Sequence, residues 1–129
     1  MTALADRLAT VLAEVLAVDA EPDGALTVRH DGTLASLRVV PIAEDLELVS
    51  LTQILGWDLP LTKKLRKRAA EQAALSQLGT VTLVEKDAES ADAMLRYNFP
   101  GSGLTDDALR TLVLLVLAKG VDIRDVLSA

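Results

Sequence analysis

Apolar residues recur along this chain with two different periods, and the changes of period mark the elements. In residues 3–17, Leu4, Leu8, Val11, Leu12, Val15 and Leu16 share one face at the 3.6-residue spacing. That predicts an amphipathic helix, with Thr2 as its cap. Asp19 to Gly24 reads as turn chemistry. Ala25–His30 and Thr33–Val40 then alternate at a period of two on either side of Asp31-Gly32. An Asp-Gly pair suits the two positive-φ positions of a type I′ turn, so a hairpin is predicted, ended by Pro41. Residues 46–55 read as a third strand that is apolar on both faces. Leu46, Leu48 and Ile54 share one face, and Val49, Leu51 and Leu55 the other. Such a strand is covered on both sides, by helices or by a partner chain.

Pro60 stops that strand. Thr62 is placed to cap a helix running to about Leu78, with Gly79 as the residue just past its end. Leu61, Leu65, Ala69 and Leu75 form its apolar stripe. Thr80–Lys86 and Ala91–Phe99 read as the fourth and fifth strands, and Gly101-Ser102-Gly103 as a turn. The last helix starts at Thr105, with Asp106 and Asp107 complementing the helix dipole and Leu104 and Leu109 forming a hydrophobic staple. Gly120 is read as its end, with one or two further turns over Asp122–Leu127. The order is α-βββ-α-ββ-α. This is an α+β fold, an antiparallel sheet with helices packed against it, in one domain spanning residues 1–129.

Composition narrows the picture. The chain has 129 residues and no cysteine. That length buries roughly two thirds of the unfolded surface without help from disulfides or metals. With only Trp57, Tyr97 and Phe99 as aromatics, the core must be leucine, valine and alanine. No basic segment before an apolar core follows Met1, and the longest apolar run, Leu112 to Ala118, falls far short of the ~20 residues that span a bilayer. A cytoplasmic protein without a membrane partner is expected. The net charge is −6, from 13 basic and 19 acidic residues. Five of the basic residues are Lys63, Lys64, Arg66, Lys67 and Arg68, so the rest of the chain is strongly acidic.

The sequence offers little for catalysis. His30, the only histidine, sits beside the hairpin turn and reads as a solvated strand-end residue. Without cysteine there is no thiol nucleophile, and zinc would need three or four carboxylates. Ser102 lies in Gly-Ser-Gly, which matches neither a nucleophile elbow nor a phosphate loop. Asp106 and Asp107 would repel an anion from that helix start. As helical neighbours they point about 100° apart, so they read as dipole partners and not as a catalytic pair. No enzyme activity, cofactor or metal is expected.

Three features stand out as interaction candidates. Lys63, Lys64, Arg66 and Lys67 open a helix against its dipole. They are a solvated face, a contact for an acidic protein or, least favoured without aromatic platforms, a nucleic-acid contact. Arg68 falls within the apolar stripe, so it must snorkel, pair with a carboxylate or meet a partner. The last helix buries Leu109, Leu112, Val113, Val116 and Leu117 on one face and leaves Leu114 and Leu115 over. Those two imply either a partner contact or cover by the chain's own termini. Trp57, between Gly56 and Asp58-Leu59-Pro60, either packs at the start of the next helix or stands out as a binding anchor.

The element order carries a resemblance. Leu59-Pro60-Leu61-Thr62 opens the middle helix, Gly79-Thr80-Val81 opens the fourth strand, and Tyr97-Asn98-Phe99-Pro100 closes the fifth. Gly103-Leu104-Thr105-Asp106-Asp107-Ala108-Leu109 opens the last helix. Together these resemble the YbjN-like family of bacterial proteins and the type III secretion chaperone-like fold. The resemblance implies a non-enzymatic, homodimeric domain that binds peptides or partner proteins through apolar surface, and it supplies no catalytic or ligand residues. The expected function is a chaperone-like protein- or peptide-binding module. The alternative is a regulatory protein whose basic helix (63–68) binds an acidic protein or nucleic acid.

Overall fold

In a computed structural model, which describes residues 3–129, the order is α-ββββ-α-ββ-α. The elements are α1 (Leu4–Ala13), β1 (Ala17–Ala20), β2 (Leu26–His30), β3 (Thr33–Ala43), β4 (Leu46–Pro60), α2 (Lys63–Leu75), β5 (Thr80–Glu85), β6 (Ser90–Pro100) and α3 (Asp106–Ser128). The six strands form one sheet in the order β1-β2-β3-β4-β6-β5, antiparallel at every pairing. This is the α+β architecture expected, with one strand more.

Local chemistry fixes several of these elements as the sequence predicts. Asp31 and Gly32 both take positive φ, and their turn pairs His30 with Thr33. Thr62 Oγ1 accepts from the Leu65 amide, and Thr105 Oγ1 accepts from the Ala108 amide, so both helices begin on a side-chain cap. The acidic start of α3 is tied to α1. Arg7 pairs with Asp106, and Arg110 pairs with both Asp107 and Glu14.

Other boundaries move, each for a tertiary reason. The first helix stops at Ala13, and Thr2, expected to cap it, lies outside the described residues. Residues 17–20 instead add an edge strand, with Val18 opposite Val28. Leu16 and Val18 reach the core this way, while Val15, expected on the buried face, is exposed. Pro41 does not end its strand: β3 continues to Ala43 through an irregularity between Pro41 and Ala43. β4 runs on to Pro60 over two register shifts, at Gly56 and before Leu59. The helix α2 ends at Leu75 and not near Leu78, and Leu75 is 74% exposed, outside the stripe assigned to it. The Ser76 hydroxyl donates to the carbonyl of Gly79, and Gly79, at φ +96°, turns the chain into β5. Gly120 is enclosed within α3, which runs unbroken to Ser128.

One apolar cluster joins the buried faces of all three helices to one face of the sheet. On the sheet side it takes Leu26 and Val28, Ala35 and Leu37, Val49, Leu51 and Leu55, Ala93, Leu95 and Phe99. Every second residue of each strand points there, and the register sets these positions side by side. The helices therefore cover one face of the sheet only. Among the described residues no helix is long and apolar enough to cross a membrane.

Candidate functional site

The other face of the sheet is open, and its composition follows from the register. Leu34 of β3, Ile54 of β4, Met94 of β6 and Thr82 of β5 lie in one row across four strands. The next rows toward the β3–β4 turn are Ser36, Thr52, Arg96 and Thr80, and then Arg38, Ser50 and Asn98. Val40 and Leu48 follow. Leu34 is 41% exposed, and neither it, Ile54, Met94 nor Leu48 packs against the core cluster. The second apolar face expected of the strand over residues 46–55 is thus present on β4, and among the described residues no helix covers it.

Trp57 closes one end of this face, 57% exposed. Two irregularities put it there. An extra residue at Leu55/Gly56 and another before Leu59 interrupt the pairing of β4 with β6, which resumes at Leu59, and Asp58 takes φ +51° in the second. The Asp58 amide donates to Asp92 Oδ1 at 2.8 Å. Lys86 Nζ lies 2.8 Å from Asp58 Oδ1 and 3.3 Å from Asp92 Oδ1, and stands 5.7 Å from the centroid of the Trp57 ring. Hydrogen bonds to Asp58 first, and then to Asp92, raise the Lys86 pKa above its usual 10.5. A charged lysine is therefore held against the indole face, the geometry of a cation–π contact.

The residues singled out in the sequence do not converge. Leu114 and Leu115 belong to α3, on the helical side of the sheet, opposite Trp57. Leu114 is half-buried and Leu115 is 50% exposed, between exposed Thr111 and Lys119. A single exposed leucine needs no partner. Arg68 finds its partners within the chain: its guanidinium donates to the carbonyls of Val126 and Ala129, capping the end of α3. Of the basic patch, Arg66 pairs with Glu85. Lys63, Lys64 and Lys67 are exposed, and among the described residues they have no carboxylate within ion-pair distance. Ser102 Oγ accepts the Glu47 amide, which fixes the loop before α3 against β4. Leu34 and Met94 complete the open face and were not singled out. The signal for Met94 was its place between Ala93 and Leu95, out of phase with their buried face.

Two exposed carboxylates on turns beside the sheet titrate low. The Arg38 guanidinium, and then the Ala25 amide, hold Asp23 below the 3.8 of a free aspartate. The Glu89 amide, with help from Ser90, does the same for Asp87. Both folded values lie below the unfolded ones, so this stabilisation is complete above the unfolded value and is lost as pH falls through the folded values. The urea midpoint should fall between about pH 5 and about pH 2. Asp87→Asn should flatten that fall, and curves that stay parallel would count against the assignment.

Comparison with protein-family models, with curated proteins and with solved structures finds no match to this chain.

Proposed function

We propose that this chain is a non-enzymatic, chaperone-like protein-binding module that presents the open face of its sheet to other polypeptides in the cytoplasm. One observation carries the reading: Leu34, Ile54 and Met94 form an apolar row outside the core, continued by an exposed tryptophan. Leaving such a surface in water costs about 25 cal/mol per Å² relative to covering it, so a polypeptide laid across it is favoured. The row also offers what binding hot spots use, a large aromatic beside medium apolar side chains. The resemblance to the YbjN-like family supports the same reading.

The test uses reduced, unfolded α-lactalbumin as a generic client, followed by fluorescence anisotropy, with self-association followed in parallel by sedimentation. Ile54→Lys and Met94→Lys lie outside the core, so both should keep the wild-type melting temperature within a few degrees. Both should lose association with client or with self by at least about tenfold, the effect of roughly 1.4 kcal/mol. A wild-type protein that binds neither itself nor the client at about 100 µM would end the proposal, since that is weaker than micromolar protein recognition.

The three unpaired lysines of α2 favour a second reading, a basic helix that engages an acidic protein. Replacing Lys63, Lys64 and Lys67 by glutamine should then weaken binding to polyglutamate and reduce its salt dependence. Unchanged binding would remove this reading and leave the first intact.

A further inference from the structure

We infer that the first occupant of the open face is a second copy of this chain, packed face to face about a two-fold axis that runs along β4. The inference rests on the protein-binding reading above and names the partner of that surface. It comes from the pattern on the face. A two-fold axis along β4 exchanges β3 with β6 and leaves each row of residues over the same row of the other copy. Leu34 of one copy then lies over Met94 of the other, and Ile54 over Ile54. In the next row Ser36 faces Arg96 and Thr52 faces Thr52, and beyond it Arg38 faces Asn98. Apolar groups meet apolar groups, and each arginine meets an uncharged hydrogen-bonding side chain. No like charges are opposed.

An axis across the strands, along the Leu34–Ile54–Met94 row, would also lay that row on itself, but it would set the polar Ser36–Thr52–Arg96 row against the Asp92 end of the other copy. The axis along β4 keeps every row over its own kind, the self-complementarity that an isologous contact requires. Two sheets stacked this way keep their strands within about 30° and sit about 10 Å apart, filled by side chains of the size present here.

Area and composition fit as well. About an axis on β4, β3 lies over β6 and the short β2 over the short β5. At about 4.8 Å between strands and about 3.4 Å per residue along β4 from Leu48 to Trp57, the matched patch is roughly 20 by 30 Å. Two copies would bury roughly 1,200 Å², the lower end of the range for specific interfaces. In a chain with 25% charged residues, the four rows from Val40 to Leu34 hold no lysine and no glutamate; on β3, β4, β6 and β5 the only charges are Arg38 and Arg96, and at the edge Arg29 of β2 is paired with Asp19 of β1. Depletion of lysine and glutamate, with methionine and arginine present, is the composition of interface cores.

Light scattering and sedimentation equilibrium on the wild-type protein should give a dimer with a micromolar dissociation constant. Because Ile54 faces itself, Ile54→Lys alone and Ile54→Glu alone should each weaken the dimer by at least about 100-fold, through like charges at the axis. Mixing the two variants should restore a dimer, which an indirect effect on folding would not do. Thr52→Cys is a second variant that leaves the apolar row intact. In a chain without cysteine it should be linked between copies by a short bis-maleimide. Leu115→Glu, on the opposite side of the molecule, should leave the dimer unchanged. A wild-type monomer at about 100 µM overturns the inference, and if that monomer still binds unfolded α-lactalbumin through Ile54 the protein-binding reading survives. A dimer broken by Leu115→Glu and indifferent to Ile54→Lys also overturns it, as does a Thr52→Cys dimer that cannot be cross-linked.

Discussion

Replacing Gly120 with alanine is expected to cost about 3 kcal/mol of folding stability and to lower the thermal midpoint by roughly 10 °C. Helix propensity alone predicts the opposite sign, a gain of about 1 kcal/mol for glycine to alanine inside a helix. What reverses it is Gln53. This side chain is fully enclosed on the core face of β4 and lies against the backbone of α3 at Gly120. A Cβ there would stand 1.8 Å from Gln53 Oε1 and 2.4 Å from its Cδ. The glutamine cannot step aside cheaply. Its Nε2 donates to Thr33 Oγ1 at 2.9 Å and to the Leu117 carbonyl at 3.1 Å. Moving it breaks both bonds in a buried site, where each orphaned polar group costs about 1–3 kcal/mol. Its Oε1 has no hydrogen-bond donor within reach among the described residues. It faces the glycine Cα, whose C–H is a weak donor.

Gln53→Ala should remove the obstacle. The double variant should then be less destabilised than the sum of the single ones, with a coupling of about 2 kcal/mol measured by urea titration. A Gly120→Ala protein as stable as the wild type would show that α3 can shift on the sheet, and that Gln53 does not set its position.

Gly120 also shows what the sequence could not disclose. The hairpin at Asp31-Gly32 and the caps at Thr62 and Thr105 were legible because each depends on residues no more than four positions apart. Read locally, Gly120 is a helix terminator and Gly79 a helix C′ residue. Their roles are set by Gln53 and by the Arg96 carbonyl, far away in sequence. Residues 17–20 fit a helical period as well as a strand, and only pairing with β2 decides between them. The interaction surface was half legible. Leu48 and Ile54 stood out as a second apolar face on the third strand, and the fold leaves that face open. Arg68 looked unpartnered because its acceptors are the carbonyls of Val126 and Ala129, which no side-chain pattern announces. Leu114 and Leu115 looked like one patch, yet a helix turns adjacent residues apart, so one is half-buried and the other exposed.

Trp57 gives the other large expected effect, because one buried carboxylate holds its corner in shape. Asp92→Ala should cost about 2 kcal/mol and free the indole. The Asp92 side chain is 7% exposed, and its Oδ1 accepts from both the Asp58 amide and Lys86. Without it the Asp58 amide, part-buried in the irregularity of β4, keeps no acceptor, and Lys86 is left with the exposed carboxylate of Asp58 alone. Asp92→Asn should cost less, about 1 kcal/mol, since its amide oxygen still accepts from Asp58 while the charge opposite Lys86 is gone. Lys86 adds a signature at high pH. Its folded pKa is raised, so its contribution is complete below the unfolded value of 10.5 and fades as pH rises through the folded one. Asp92→Ala should reduce that alkaline loss.

Trp57 is the only tryptophan, so its fluorescence reports this corner without labels. Acrylamide quenching should rise and anisotropy should fall in Asp92→Ala, and to a smaller extent in Asp92→Asn. Unchanged emission alongside a lowered stability would mean that the carboxylate supports β4 and not the indole. If Trp57 anchors the contact between copies, self-association should weaken in the order wild type, Asp92→Asn, Asp92→Ala, Ile54→Lys. The first two losses then come from a loosened anchor and the last from charge set directly on the axis.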